Sequence, residues 1–228
     1  MTDLATPLPP AAERWLARAL EPDAATAAVV SVSQTGELES NERWLPFSAT
    51  ATYRARPLAF EWRARLRVLP GIWVDATDGH ADGNGWGGAK LWGIRSMGER
   101  SGPDVHAIQL IRNLAELACV PQLARAAAGL RWSGRDEDRF EVRARAADRE
   151  VVVTCEVDAE GDIVRAASPD RPYDVEDGFD TAPWEVVFGE PAALDGVRVP
   201  TRMVAAYDLP DGRWEYLRAT VTALDATA

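Results

Sequence analysis

Between Leu58 and Val68 the chain alternates without a break: Leu58, Phe60, Trp62, Ala64, Leu66 and Val68 share one parity, and Glu61, Arg63, Arg65 and Arg67 the other. A period of two is that of a β-strand, whose side chains point to opposite faces in turn. Such a strand has one dry side and one wet side, which argues for an antiparallel sheet, because strands buried on both faces of a parallel sheet read as continuous apolar runs. The same period holds from Ala27 to Leu38 and from Trp44 to Ala55. It returns in Phe140, Val142, Ala144 and Ala146, and again in Val151, Val153, Cys155 and Val157.

One long interior stretch, Ser101 to Leu130, breaks this rhythm. Ser101-Gly102-Pro103-Asp104 has the form of a helix start, with Pro in the first turn and an acid where the helix dipole favours one. The spacing predicts a helix to about Ala118, with Leu110, Ile111, Leu114 and Leu117 on an apolar stripe and Gln109, Arg112, Asn113 and Glu116 on a polar one. Pro121 ends it, and Gln122 to Ala128 reads as a second short helix stopped by Gly129. Near the start, Trp15, Leu16, Ala19 and Leu20 share a face of a short amphipathic helix that Pro22 closes.

The expected fold is α+β, mainly β: a curved antiparallel sheet, or half-barrel, with an N-terminal helix and a helical segment inserted midway. A chain of 228 residues, 46% hydrophobic, is long enough for one substantial core. It reads as a single domain over 1–228, with a helix at 10–20, strands over 26–94, helices over 103–128 and strands over 130–223. Gly71 to Thr77 and Trp86 to Ile94 are expected to form a hairpin that turns through Asp78 to Gly85. Further turns fall at Ala159 to Asp162, Asp195-Gly196 and Asp211-Gly212. Ser168 to Pro183, rich in Asp, Pro and Gly, is expected to be the longest irregular connection and a rim or lid. Pro200 implies an edge or a bulge in its strand.

A net charge of -11 opposes nucleic-acid backbones and anionic membrane surfaces. No run of about 18 apolar residues occurs, and the first residues lack a basic start followed by an apolar stretch, so a cytoplasmic protein without membrane insertion is expected. Cys119 and Cys155 are expected to be buried free thiols. With His80 and His106 as the only histidines, no zinc spacing exists and no metal is expected. His80 lies among Asp75, Asp78 and Asp82, which is read as turn chemistry rather than as a hydrolytic or oxygen-ligand metal site; His106 is expected to be solvated. Gly83-Asn84-Gly85-Trp86-Gly87-Gly88 fits a dinucleotide fingerprint on paper, but a strand rather than a helix follows it, and a glycine-rich hairpin or bulge is the better reading. No nucleophile elbow is present, and no cofactor is called for.

The nine tryptophans carry more information. Trp44, Trp62, Trp73, Trp86, Trp92, Trp184 and Trp214 fall in expected strands; core packing accounts for most of them, and a curved sheet too large for one helix to fill uses the rest to line a pocket. Trp44, Trp62, Trp73, Trp92, Trp184 and Trp214 are the ligand-wall candidates. Arg171 and Tyr173 sit just before Trp184 near one rim, where Arg171 either holds a carboxylate or phosphate head group or pairs with Asp170 or Asp174. Arg112 and Glu116, four residues apart, form a solvated pair on one reading. On the other reading the stripe faces inward, Arg112 is a candidate ligand-binding residue, Glu116 is a candidate ligand-orienting group or acid or base, and Tyr173 is a second candidate for proton transfer.

Arg43-Trp44-Leu45-Pro46-Phe47, Asn113-Leu114-Ala115-Glu116-Leu117, Leu130-Arg131-Trp132, Asp170-Arg171-Pro172-Tyr173, Pro183-Trp184 and the run from Gly196 to Arg202 together resemble a bacterial family of unknown function. That family carries W-x-P-F, L-A-E-L, L-R-W, D-R, P-W and G-x-R-x-P-T-R motifs in this order. Ala118-Cys119-Val120-Pro121 departs from the aromatic or proline-rich stretch usual after the Leu-Ala-Glu-Leu run. The arrangement of elements is also similar to the lipoprotein-carrier half-barrel fold, which implies binding of acyl chains or, in a pigment-forming relative, cofactor-free catalysis. The expectations are therefore an apolar small molecule or acyl chain as ligand, a cofactor-independent cyclase or isomerase, or a partner-binding domain with a filled core. No sequence feature sets an oligomeric state.

Overall fold

The computed structural model describes residues 7–22 and 27–227. A short helix, α1 (Pro10–Ala19), precedes the strands β1 (Val29–Ser40), β2 (Arg43–Ala55), β3 (Leu58–Leu69), β4 (Ile72–Ala81), β5 (Asn84–Leu91) and β6 (Arg95–Ser101). Next come the helix α2 (Pro103–Glu116), a 3-10 turn (Leu117–Cys119) and the one-turn helix α3 (Pro121–Ala124). The strands β7 (Arg131–Gly134), β8 (Arg139–Ala146), β9 (Arg149–Val157), β10 (Ile163–Val175), β11 (Gly178–Leu194), β12 (Val197–Leu209) and β13 (Gly212–Thr227) complete the described chain. Residue 26, where the first strand was expected to begin, lies outside the described residues, as do the first six.

All thirteen described strands form one antiparallel sheet in the order β6-β5-β4-β3-β2-β1-β13-β12-β11-β10-β9-β8-β7. The first and last strands pair at its centre, so each half of the chain makes one wing. Strands sit about 4.8 Å apart; on a flat sheet β5 and β10, eight places apart in that order, would be separated by about 38 Å, roughly three helix diameters. Yet α2 touches β3, β4, β5 and β6 on one wing and β8, β9 and β10 on the other. The sheet is therefore curled around α2 into a half-barrel, as the alternation and the single interior helix led one to expect.

The dry parity of β3 lies on the concave side, with Phe60, Trp62, Ala64 and Leu66 buried. At one end of the half-barrel α1 covers this face, Trp15 stacking on Phe140 of β8 with ring centroids 5.9 Å apart. Arg56 Nε, at the β2–β3 turn, donates to the Ala126 carbonyl at 2.8 Å, so the residues after α3 close the same end. Among the described residues no helix is long and apolar enough to cross a membrane.

Several boundaries differ from expectation for identifiable reasons. The β4–β5 turn is confined to Asp82 (φ 50) and Gly83 (φ 79), the left-handed pair of a tight hairpin turn. Hence Asp78 to Ala81, expected to be loop, is strand. Gly85 is required by proximity: a Cβ there would lie 2.3 Å from the His106 backbone nitrogen, so α2 begins in contact with β5. Ser168 to Pro183 is no lid but the hairpin of β10 and β11, and a register shift between Ser168 and Arg171 absorbs Pro169 without ending the ladder. The strand β6 was not foreseen, since Arg95 to Ser101 has no apolar parity. The segment read as a helix over Gln122 to Ala128 is helical only over α3. Pro200 lies where β12 still pairs with β11 but before its β13 ladder begins at Arg202, which spares the sheet a missing donor.

Candidate functional site

Helix α2 has apolar residues enough to pack on the sheet, and Leu110, Ile111 and Leu114 do so. The polar stripe does not face water either. Gln109, Asn113 and Glu116 are buried, because a helix clasped by both wings of a curled sheet has almost no solvent face. Where this stripe meets the concave wall, a cavity of about 620 Å³ remains, within the range of small-molecule sites. Trp62, Trp184, Val186, Met203 and Ala205 form much of its wall, and Ile108, Gln109, Arg112 and Glu116 its helical side. Leu38 to Ser40, Tyr173, Asp174 and Trp214 also line it; they adjoin the β1–β2, β10–β11 and β12–β13 turns, which places the mouth opposite the end closed by α1 and α3.

Two cationic clusters face this cavity. In the first, Arg112 Nε donates to Glu116 Oε1 at 2.7 Å, and a second nitrogen lies 3.6 Å from Asp78. The other Glu116 oxygen accepts a hydrogen bond from the Tyr53 hydroxyl. The solvated pair considered from sequence is thus a buried one, with 11% of the Arg112 side chain and 3% of the Glu116 side chain exposed. The guanidinium lies 4.9 Å from the ring centres of both Phe60 and Trp62. Burial opposes its charge, but Glu116 and Asp78 more than offset this and raise its pKa above the ordinary value. Burial, with the Glu116 charge added, pushes the Tyr53 phenol well above its usual range.

The second cluster is centred on Arg171, 4% exposed. Its Nε and Nη2 donate to the Ile108 carbonyl of α2 at 3.3 Å each, and Nη1 donates to the hydroxyls of Tyr207 (2.5 Å) and Tyr216 (3.2 Å). Trp184 Nε1 also donates to the Tyr216 hydroxyl at 3.0 Å, and the Tyr207 hydroxyl donates to the Pro172 carbonyl at 2.9 Å. The guanidinium lies 4.4 Å from the Trp184 ring centre. Neither Asp170 nor Asp174 pairs with it; Asp174 is engaged by Arg100. Burial again opposes the charge, and the Tyr207 and Tyr216 oxygens more than offset it, so the pKa is raised.

Of the residues singled out from sequence, Arg112, Glu116, Arg171, Tyr173, Trp62, Trp184 and Trp214 all line the cavity. Trp44, Trp73 and Trp92 do not, which corrects their selection as wall residues. Trp44 has the parity of the exposed residues of β2 and stacks under Arg218 at 4.1 Å on the convex face. Trp73 lies opposite Arg67 and packs against Arg65, also on the convex face. Trp92 sits in the β5–β6 turn, 47% exposed, its Nε1 bonded to the Gly71 carbonyl at 3.0 Å. Residue type drew attention to all six; strand parity turns Trp44 and Trp73 outward, and Trp92 lies in a turn outside any strand. Parity also gives Tyr207, which follows the inward Met203 and Ala205 at steps of two, and Tyr216, two beyond Trp214. Tyr53 was hidden among ordinary core positions.

The histidines differ from expectation as well. His80 is in β4, buried, with Nε2 2.9 Å from Asn113 Nδ2 of α2. Burial, and secondarily the neighbouring His106, lowers its pKa to about 3. His106 is buried rather than solvated, since it packs beneath the wing at Gly85, with ring centres 5.5 Å from His80. Cys119 and Cys155 are buried and unpaired with each other. Among the described residues no group of His, Cys, Asp and Glu is placed to hold a metal ion.

Fold and site together define a class: a single-sheet antiparallel half-barrel that clasps one polar-striped helix over an aromatic cavity. The chain belongs to the family of unknown function DUF6544, whose model matches residues 1–219. No curated protein matches it. It is similar to a LolA superfamily protein from Nitrosomonas europaea, with 11% identity, 95% of this chain and 94% of that one covered, and a TM-score of 0.45. It is similar also to a putative outer membrane lipoprotein-sorting protein domain from Vibrio parahaemolyticus (9% identity, 95% and 90% covered, TM-score 0.46). A DUF1329 family protein from Desulfovibrio piger gives 10% identity, 95% and 90% coverage and a TM-score of 0.44.

Proposed function

We propose that this protein binds an apolar small molecule or acyl chain in the cavity between α2 and the concave wall. The observation that carries the proposal is the cavity itself: about 620 Å³, walled by Trp62, Trp184 and Met203 and open at one end. Transfer of about 250 Å² of apolar ligand surface there contributes roughly 6 kcal/mol at about 25 cal/mol per Å², before the costs of association are subtracted. Native mass spectrometry of the purified protein is expected to show a co-purifying adduct, and 1-dodecanol is expected to shift tryptophan emission in a saturable way. A clean apo mass together with no emission response to dodecanol or dodecanoic acid removes this reading.

A cofactor-independent enzyme of the cyclase or isomerase type is the second reading, favoured by one observation. Glu116, a buried carboxylate, opens on the same cavity as the Tyr173 phenol. Both Glu116 oxygens are already engaged, by Arg112 and by Tyr53, which suits a carboxylate that fixes Arg112 better than one that moves protons. Unchanged turnover of any substrate by Glu116→Gln would remove that residue from a mechanism.

A further inference from the structure

Taking the proposed apolar site as its basis, the geometry points to a narrower ligand class, and we propose that the occupant is a carboxylic acid whose carboxylate is received by Arg171 and the Tyr216 hydroxyl. Among the described residues the arginines outside any ion pair are Arg18, Arg43, Arg54, Arg56, Arg67, Arg95, Arg125, Arg145 and Arg171, and of these Arg171 alone is buried. The other arginines lining the cavity are already neutralised, Arg112 by Glu116 and Asp78, Arg100 by Asp174 and Asp78. A cation taken out of water without a counter-charge is unfavourable, and a carboxylate brought beside it relieves that penalty as well as forming charge-assisted hydrogen bonds.

The donor inventory fixes where the counter-charge sits. A guanidinium has five N–H donors. The bonds to Ile108, Tyr207 and Tyr216 engage four, leaving one on Nη2. Tyr216 accepts from both Arg171 and Trp184, so its own hydroxyl proton remains to be given. Tyr207, by contrast, already donates to the Pro172 carbonyl. One N–H and one O–H, attached to neighbouring groups that both line the cavity, match the two oxygens of a carboxylate. A phosphate monoester, with three terminal oxygens and a larger charge, would be left partly unmet. Gln109, next to Ile108, also lines the cavity with its Oε1 unpartnered, so the helical side adds an amide for polar contact.

Dodecanoic acid, methyl dodecanoate, 1-dodecanol and dodecyl phosphate, titrated separately into the wild-type chain at pH 8 by calorimetry, test this directly. The acid is expected to bind about tenfold or more tightly than the alcohol and the ester. Arg171→Met is expected to collapse that preference to within about threefold, and Tyr216→Phe, which keeps the ring and folds even if the arginine variant does not, to reduce it about three- to tenfold. Equal affinity for acid and alcohol in the wild type overturns the head-group assignment while leaving the apolar site standing. Tighter binding of dodecyl phosphate than of the acid overturns the choice of carboxylate. Binding of none of the four overturns the apolar site and this inference with it.

Discussion

Replacing Glu116 by Leu tests whether α2 carries a buried charge that must be neutralised. In the wild type Arg112 has two carboxylates, at 2.7 and 3.6 Å; the substitution removes the nearer and leaves Asp78 alone. Breaking a buried pair from one side costs about 3–5 kcal/mol, because the remaining charge has lost its compensation. The Tyr53 hydroxyl loses its acceptor at the same time, a further penalty of roughly 1–3 kcal/mol where no other acceptor is in reach. For a chain of this size each kcal/mol is about 2–4 °C in melting temperature, so the ion-pair loss alone predicts a fall of about 6–20 °C. Thermal unfolding followed by far-ultraviolet circular dichroism measures that fall, and urea unfolding measures the free energy. The comparison is completed by Arg112→Met/Glu116→Leu with Tyr53→Phe, which removes the two groups that Glu116→Leu leaves unpaired, keeps Arg100 at 3.9 Å as the partner of Asp78, and is expected to be more stable than Glu116→Leu alone. If Glu116→Leu lies within about 0.5 kcal/mol of wild type, as an exposed substitution would, Arg112 is not a buried cation and the polar side of the cavity does not depend on its neutralisation.

His80, neutral in the fold with a pKa lowered to about 3 by burial and by His106, titrates near 6.5 when unfolded. The unfolded chain therefore binds the extra proton between those values, and stability present above about pH 6.5 falls by up to about 1.4 kcal/mol per pH unit on acidification towards pH 3; His80→Gln is expected to flatten that slope in urea titrations at successive pH values. Gly85→Ala places a methyl group 2.3 Å from the His106 nitrogen, and a loss of about 1–3 kcal/mol is expected from the clash with α2. Ala205→Leu projects into the cavity, so dodecanol affinity should drop about tenfold with the melting temperature held or raised. Trp184→Phe should reduce the ligand-induced emission change, leaving the part that comes from Trp62 and Trp214, and Trp44→Phe, on the convex face, should leave it unchanged.

The curl of the sheet was legible because two signals agreed: strands with one dry parity, and a single interior helix with too little apolar surface to cover them. The exact edges were not. Ser168 to Pro183 carries the Pro, Asp and Gly of a loop, yet a local register shift lets the ladder run past Pro169, a tertiary accommodation that composition does not register. Arg171, Tyr173 and Trp184, singled out by residue type, line one cavity, since they stand close in sequence around one turn. What completes that cluster, Tyr207, Tyr216 and the Ile108 carbonyl, comes from strands and a helix 36 to 63 residues away, and nothing in a linear pattern joins them. The same holds for Tyr53, which meets Glu116 across 63 residues.

The inward polar stripe of α2 also explains how a cavity of this size is compatible with a stable fold. A dry, apolar void of about 620 Å³, taken at about 24 cal/mol per Å³, would cost roughly 15 kcal/mol, the whole stability of an ordinary domain. The space must therefore be wettable. Water persists inside a protein only where it finds two to four polar partners, and Gln109, Arg112, Glu116 and Arg171 supply them along one side of the cavity. On the opposite side, Trp62, Val186 and Met203 offer water almost nothing. Solvent held against such a wall is poorly bonded and readily displaced by an apolar group, whereas solvent near the arginines yields only to a group that restores its hydrogen bonds. A cavity with one face of each kind selects for a ligand with one end of each kind, and the half-barrel achieves this by giving the helix it clasps a polar side instead of a second apolar one.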